Sequence, residues 1–266
     1  MSHLFGPGSR REPLPRRWLA VALGVAAVVV LPFGLLVQRA LQSEPSAGEP
    51  PGPALGDAEN SLPACTVGDA RTRFRSYEDW GRSLLDTRLR LPTAYEPPDL
   101  VSTRKAGFRT ARPVRLLLIE DLAALGDAAQ AAGNPVDITW GYRSFRTQRW
   151  VFEYWSKKKG RDATLRTAAR PGHSEHQLGT SLDFKSEGAL NVDAGWRYEP
   201  AGVWMRENAW RYGFIESYPL GKESVTCYSP EPWHYRYFGR DRAAEIRASG
   251  LTSREYLWRE ADRSLP

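Results

Sequence analysis

The chain has 266 residues, 37 Lys+Arg against 31 Asp+Glu and a net charge of +6, with a pI near 9.4. That length holds one mid-sized domain with appendages and excludes two large cores. The basic balance permits contact with anionic polymers, but the arginines are scattered and no recognisable module accompanies them, so nucleic acid is not an expected partner.

Residues 1–17 form a polar, basic tail in which Arg10, Arg11, Arg16 and Arg17 precede the uncharged apolar run Trp18–Val37. Twenty apolar residues suffice for one membrane crossing. The charge bias predicts a single-pass segment over 18–38, with the N-terminus cytoplasmic and the rest of the chain outside the cell membrane. A cleaved signal peptide is the rival reading, although its apolar core is usually shorter and no good small-x-small site follows Val37. Residues 39–63, rich in Pro, Gly, Ser and acids, read as a semi-extended linker. The remaining residues, 64–266, form the predicted ordered domain.

Within that domain Tyr77–Leu89 has a helical look, followed by proline-punctuated loop. Leu117, Leu118, Leu122 and Leu125 predict a helix over Val114–Ala132, ended by Gly133-Asn134-Pro135. Val136–Trp140 alternates into a strand that delivers Gly141-Tyr142-Arg143 at its end. Thr147–Lys158 is a second predicted helix, apolar on its Trp150, Val151 and Tyr154 side, and Thr180–Phe184 a short strand. Val203–Tyr212 reads as a helix ended by Gly213, and Phe214–Tyr218 as a strand. Helices near Asp241–Ser249 and Ser253–Glu260 look peripheral. Irregular order and antiparallel-looking strands favour an α+β fold, a small mostly antiparallel sheet flanked by helices.

Only four histidines occur: His3 in the tail, and His173, His176 and His234. Imidazole and carboxylate are the usual ligands of a cation such as Zn²⁺, and a catalytic site uses three of them with one position left open. His176, Asp183 and His234 supply such a set. Glu231, three residues before His234, stands where a general base would sit. Because Pro232 disfavours α geometry at Glu231, a helical H-E-x-x-H arrangement is excluded. On a regular strand i and i+3 face opposite ways, so a turn or a bulge must join Glu231 to the site, or Glu231 must reach around it.

H-x(6)-D followed about fifty residues later by E-x-x-H resembles the metal signature of the zinc D-alanyl-D-alanine carboxypeptidases of the vancomycin-resistance Y type. Their wider group also holds the resistance X dipeptidases, the L,D-carboxypeptidases and the Hedgehog signalling domains. Gly141-Tyr142-Arg143-Ser144, with Gln148, resembles one family block, and Arg170-Pro171-Gly172 through Asp183 resembles another. Glu207–Ile215, Tyr218–Glu223 and Glu231–Tyr237 continue the series in family order. The resemblance implies the fold of that group and hydrolysis of the D-Ala-D-Ala end of peptidoglycan stem peptides. It implies Zn²⁺ on His176, Asp183 and His234, with Glu231 deprotonating the attacking water. Arg143 would meet substrate carboxylate or oxyanion charge, and Gln148 and Ser174 would hydrogen-bond substrate. His173 is read as a residue behind the ligands or at the cleft rim.

Cys65 and Cys227 form an isolated pair, which outside the membrane favours a disulfide over free thiols. The family often has glycine where Cys227 stands. An L,D-carboxypeptidase or endopeptidase on the same fold is the runner-up, and a non-catalytic wall-binding domain the rival from another class.

Overall fold

A computed structural model describes residues 61–263. The predicted tail, the membrane segment over 18–38 and nearly all of the linker lie outside the described residues. Among the described residues no helix is long and apolar enough to cross a membrane.

Strands β1 (Ala70–Arg71) and β2 (Leu89–Arg90) pair in parallel, and β3 (Leu100–Ser102) pairs antiparallel with β4 (Pro113–Arg115). Then come α1 (Ile119–Ala131), β5 (Val136–Trp140), α2 (Phe145–Lys159), α3 (Arg161–Leu165) and β6 (Ser181–Ser186). The chain closes with α4 (Pro200–Asn208), β7 (Phe214–Glu216), the single turn α5 (Glu223–Thr226), β8 (His234–Tyr237), α6 (Arg240–Ser249) and α7 (Ser253–Arg263). The central sheet has the order β5-β6-β8-β7, and every neighbouring pair in it is antiparallel.

Strand alternation divides the work of this sheet, because successive side chains point to opposite faces. Leu182, Phe184, Phe214, Tyr235 and Tyr237 pack against Leu118, Leu122, Leu125 and Ala129 of the α1 region to make the main core. Truncating one of those leucines to alanine costs about 2–5 kcal/mol by transfer and cavity effects. The intervening residues Ser181, Asp183, His234 and Arg236 occupy the other face, and Asp183 and His234 are direct cross-strand partners. Between Ile138 and Trp140 the β5–β6 register slips by one residue, a bulge that redirects the end of β5.

Several predicted boundaries move. Tyr77–Leu89 keeps only one 3₁₀ turn, Glu78–Gly81. The Asp86 carboxylate takes the backbone N–H groups of Arg88 and Leu89, both at 2.8 Å, a local turn that competes with helix. The Trp80 and Ser83 carbonyls are bound by the buried Arg236 guanidinium. The predicted Val114–Ala132 helix starts at Ile119, since Val114 and Arg115 pair in β4. The predicted Val203–Tyr212 helix runs from Pro200 to Asn208 and finishes as a 3₁₀ turn over Ala209–Tyr212. On α2, Val151 is buried, but Trp150 and Tyr154 face solvent.

The C-terminal helices are not peripheral. Leu257 and Ile246 pack with Leu84 and Phe238 in a second core. Arg254 is 5 % exposed and pairs with Asp86 at 2.7 Å while donating to the carbonyls of Val225 and Pro63. Nearby, Cys65 and Cys227 form a disulfide across 162 residues. Cys227 is the one non-glycine with positive φ, 71°, among the described residues. Glycine occupies that region without a Cβ penalty, which matches the glycine that the resembled family often has there.

Candidate active site

The site is assembled from two strands and a turn. Asp183 on β6 and His234 on β8 face each other in register, and His176 enters from the 3₁₀ turn Glu175–Leu178. Ser174 caps that turn, its hydroxyl accepting from the His176 N–H at 3.3 Å. Gly179 ends it at φ +74, where a Cβ would lie 2.9 Å from Arg115 Cγ. The β5 end is laced to the same turn: Arg143 N–H donates to the His176 carbonyl at 3.1 Å. Gly141 is required there, because a Cβ would come within 2.4 Å of the Pro113 carbonyl.

The side-chain atoms of His176, Asp183 and His234 lie within 4.8 Å of one another, and all three residues are buried. His176 Nδ1 stands 2.7 Å from the Gly141 carbonyl. A carbonyl only accepts, so Nδ1 carries the proton and the Nε2 lone pair faces Asp183 Oδ1 at 3.2 Å. Two electron-rich atoms at that separation require a proton or a cation between them. His234 sits between two carboxylates, with Nε2 3.0 Å from Glu175 Oε2 and Nδ1 3.0 Å from Asp183 Oδ1. Two imidazoles with their far nitrogens engaged, and one shared carboxylate, fit a divalent metal such as zinc.

The charge state of each group follows from its burial and its partners. Burial opposes charge on Asp183, but the two imidazoles outweigh it and hold the carboxyl well below the usual range. Burial, with the nearby Arg143 charge, lowers His176 to about 4. Burial also disfavours charge on His234, yet its two carboxylate partners raise it to about 10. For Glu175, desolvation is overcome by Arg236 and His234, leaving it at about 2.

These groups open into a cavity of about 450 Å³ that is also lined by Arg143, Gln148, Ser174, Tyr218, Tyr228 and Glu231. Glu231 reaches the cavity from a turn. Its carbonyl accepts the His234 N–H at 3.0 Å with buried Pro232 between, while its own N–H donates to Tyr218 O at 3.0 Å. The turn, rather than a bulge, therefore reconciles the E-P-W-H spacing with one site. Burial raises the Glu231 carboxyl to about 7, His234 and Arg143 opposing that rise and Asp183 adding to it. Arg143 lines the same cavity with Nε shut off from solvent and unpartnered. Desolvation lowers its pKa while Asp183 and Glu231 favour its charge. Gln148 is 1 % exposed; its Nε2 donates to Ala169 O at 2.7 Å and its Oε1 has no partner.

His173 lies elsewhere, correcting the reading of it as a residue behind the ligands or at the rim. Its Nδ1 is 2.8 Å from Asp86 O and its Nε2 3.3 Å from Asp69 Oδ1, so it fastens the N-terminal segment. The residue that does stand behind a ligand is Glu175, which sequence reasoning passed over. It holds His234, accepts from Ser217 Oγ at 2.7 Å and pairs with the fully buried Arg236 at 2.9 Å. Its one sequence signal is the position next to His176.

Residues 113–240 match the VanY family, D-alanyl-D-alanine carboxypeptidase. The YodJ protein of Bacillus subtilis is 35 % identical over 180 residues, which is 66 % of each chain. The solved LdcB LD-carboxypeptidase is similar with a TM-score of 0.59 at 33 % identity, over 65 % of this chain and 83 % of that one. A crystal structure of the vancomycin-resistance D,D-pentapeptidase VanY, from a VanB-type cassette and in complex with Zn(II), gives 0.57 at 31 %, over 67 % and 99 %. The chain belongs to the VanY family of D-alanyl-D-alanine carboxypeptidases.

Proposed function

We propose that this protein is a zinc-dependent D-alanyl-D-alanine carboxypeptidase that removes the terminal D-alanine of peptidoglycan stem peptides. The carrying observation is one cavity in which two imidazoles and a carboxylate converge beside a free carboxyl, Glu231, and a free guanidinium, Arg143. His176, Asp183 and His234 would hold Zn²⁺, the ion of the VanY crystal structure, which when bound supplies Lewis acidity toward water and the scissile carbonyl.

Glu231, poised near neutrality by its burial, takes the proton of the attacking water and returns it to the leaving amine. Arg143 offers planar, permanent positive charge to the carboxylate of the terminal residue or to the developing oxyanion. Gln148 Oε1 and the Ser174 hydroxyl orient the peptide. Trp140, Trp155 and Trp233 wall the cavity and restrict water around the reacting groups.

The apolar segment 18–38, the basic tail 1–17 and the linker 39–63 support a domain, 64–266, tethered on the outer side of the cytoplasmic membrane. The Cys65–Cys227 disulfide suits an oxidising compartment. Protease added outside intact cells tests this placement by removing the domain.

A second reading, L,D-carboxypeptidase, is favoured by the likeness to LdcB. Free D-alanine measured from a pentapeptide ending in D-Ala-D-Ala and from the tetrapeptide lacking the last residue separates the two. Release from the pentapeptide alone supports the first reading, and release from the tetrapeptide alone overturns it in favour of the second.

A further inference from the structure

Helix α2 buries Gln148, Val151 and Phe152 and turns an aromatic face outward. Trp150 is 62 % exposed, and Tyr154 and Trp155 are each 42 % exposed. Trp150 and Tyr154, one turn apart, stack with ring centroids 5.6 Å apart and planes 23° apart. Tyr154 meets Trp155 edge-on at 5.2 Å. Two lysines flank the ladder, Lys158 Nζ at 5.9 Å from the Tyr154 ring and Lys159 Nζ at 4.9 Å from the Trp155 ring. An exposed ladder of this kind is costly to leave in water, and neither the catalytic reading nor the core uses Trp150 or Tyr154. Trp155 also lines the cavity that contains Glu231 and His234, so the ladder begins where the cleft ends.

We propose that Trp150, Tyr154 and Trp155 form a binding surface for the glycan strand that carries the stem peptide. This rests on the carboxypeptidase reading of the cleft. Pyranose rings present flat C–H faces that stack on aromatic rings, and the free carboxylates of attached peptides meet Lys158 and Lys159. The dimensions agree. Four residues precede the scissile bond of a stem pentapeptide and span at most about 14 Å when extended. Trp150 stands about 8 Å beyond Trp155 along the helix axis at 1.5 Å per residue. A sugar chain laid along α2 is therefore within reach of a peptide whose end sits at Glu231. Anionic bilayers also take aromatic and basic side chains. A bilayer seated on Trp155 would cover the cavity mouth, which favours the glycan.

The test uses the full-length chain in detergent, as wild type, Trp150→Ala/Tyr154→Ala, Lys158→Glu and the conservative Tyr154→Phe. Retention is measured on glycan strands stripped of peptide and on phosphatidylglycerol vesicles. D-Alanine release is measured from free pentapeptide and from the same peptide on glycan. The wild type and Tyr154→Phe bind stripped glycan. The double alanine variant loses on the order of tenfold, the scale of aromatic anchors in interfaces. It turns over free pentapeptide as the wild type does and glycan-borne pentapeptide more slowly. Lys158→Glu slows only the glycan-borne substrate. Equal glycan retention by wild type and double variant overturns the proposal, and a loss confined to vesicles overturns it in favour of a membrane. Glycan retention that depends on the ladder, with no D-alanine release from either substrate, upholds the surface and overturns only the carboxypeptidase reading.

Discussion

Glu175 Oε2 lies 3.0 Å from His234 Nε2, on the far side of the imidazole from Asp183. The carboxylate fixes which nitrogen of His234 faces the other two donors, and Ser217 and Arg236 fix the carboxylate. Partners of this kind contribute to metal affinity without touching the metal.

Glu175→Gln is expected to weaken zinc affinity by about 10- to 100-fold, read by competition with a calibrated chelator. Glu175→Ala also strands the buried Arg236 charge. It is expected to cost about 3–5 kcal/mol of stability, read by urea unfolding.

Arg143→Ala is expected to lower kcat by about 10²- to 10³-fold, the cost of removing one preorganised donor from developing charge. Arg143→Lys does not rescue it, because an ammonium lacks the planar fork. Steady-state kinetics on the pentapeptide, with metal content held equal, checks both.

Much of this site was legible from residue identity. Few histidines, a fixed H-x(6)-D and an E-P-W-H spacing left little choice of donors, and the three of them do converge; the roles of the residues around them came from the family resemblance. Legibility failed where long-range contacts decide. Tyr77–Leu89 has helical spacing, yet Arg236 from the far end of the domain takes two of its carbonyls. Trp150 and Tyr154 look like core on an amphipathic helix, yet they face outward. Glu175 was passed over beside His176, because nothing local says that β8 brings His234 and Arg236 against it.

Glu216 yields a pH dependence away from the ligands. Burial raises its carboxyl from 4.5 to about 7, opposed by Arg197 and Arg206. Between those values the folded protein binds a proton that the unfolded chain has lost, so stability falls as pH rises from about 4 through about 7. The loss is at most about 3 kcal/mol. In Glu216→Gln that component vanishes, so the stability difference between variant and wild type grows toward alkaline pH. Urea midpoints at a series of pH values measure it.

Removing the Cys65–Cys227 bridge with Cys65→Ser is expected to cost about 5 kcal/mol in the chain-entropy model for so long a loop. Adding Cys227→Gly should return roughly 1 kcal/mol, since the position is left-handed and glycine fits it freely. Thermal unfolding of the two variants under identical conditions resolves the difference.

The central claim is that Glu231 performs proton transfer at a metal held by His176, Asp183 and His234. Its most direct test is metal content and D-alanine release measured on the same preparations of wild type and Glu231→Gln. The account predicts one zinc per chain in both, with release sensitive to chelator in the wild type and lowered about 10²- to 10⁴-fold in the variant. Undiminished release by a zinc-loaded Glu231→Gln protein would contradict it.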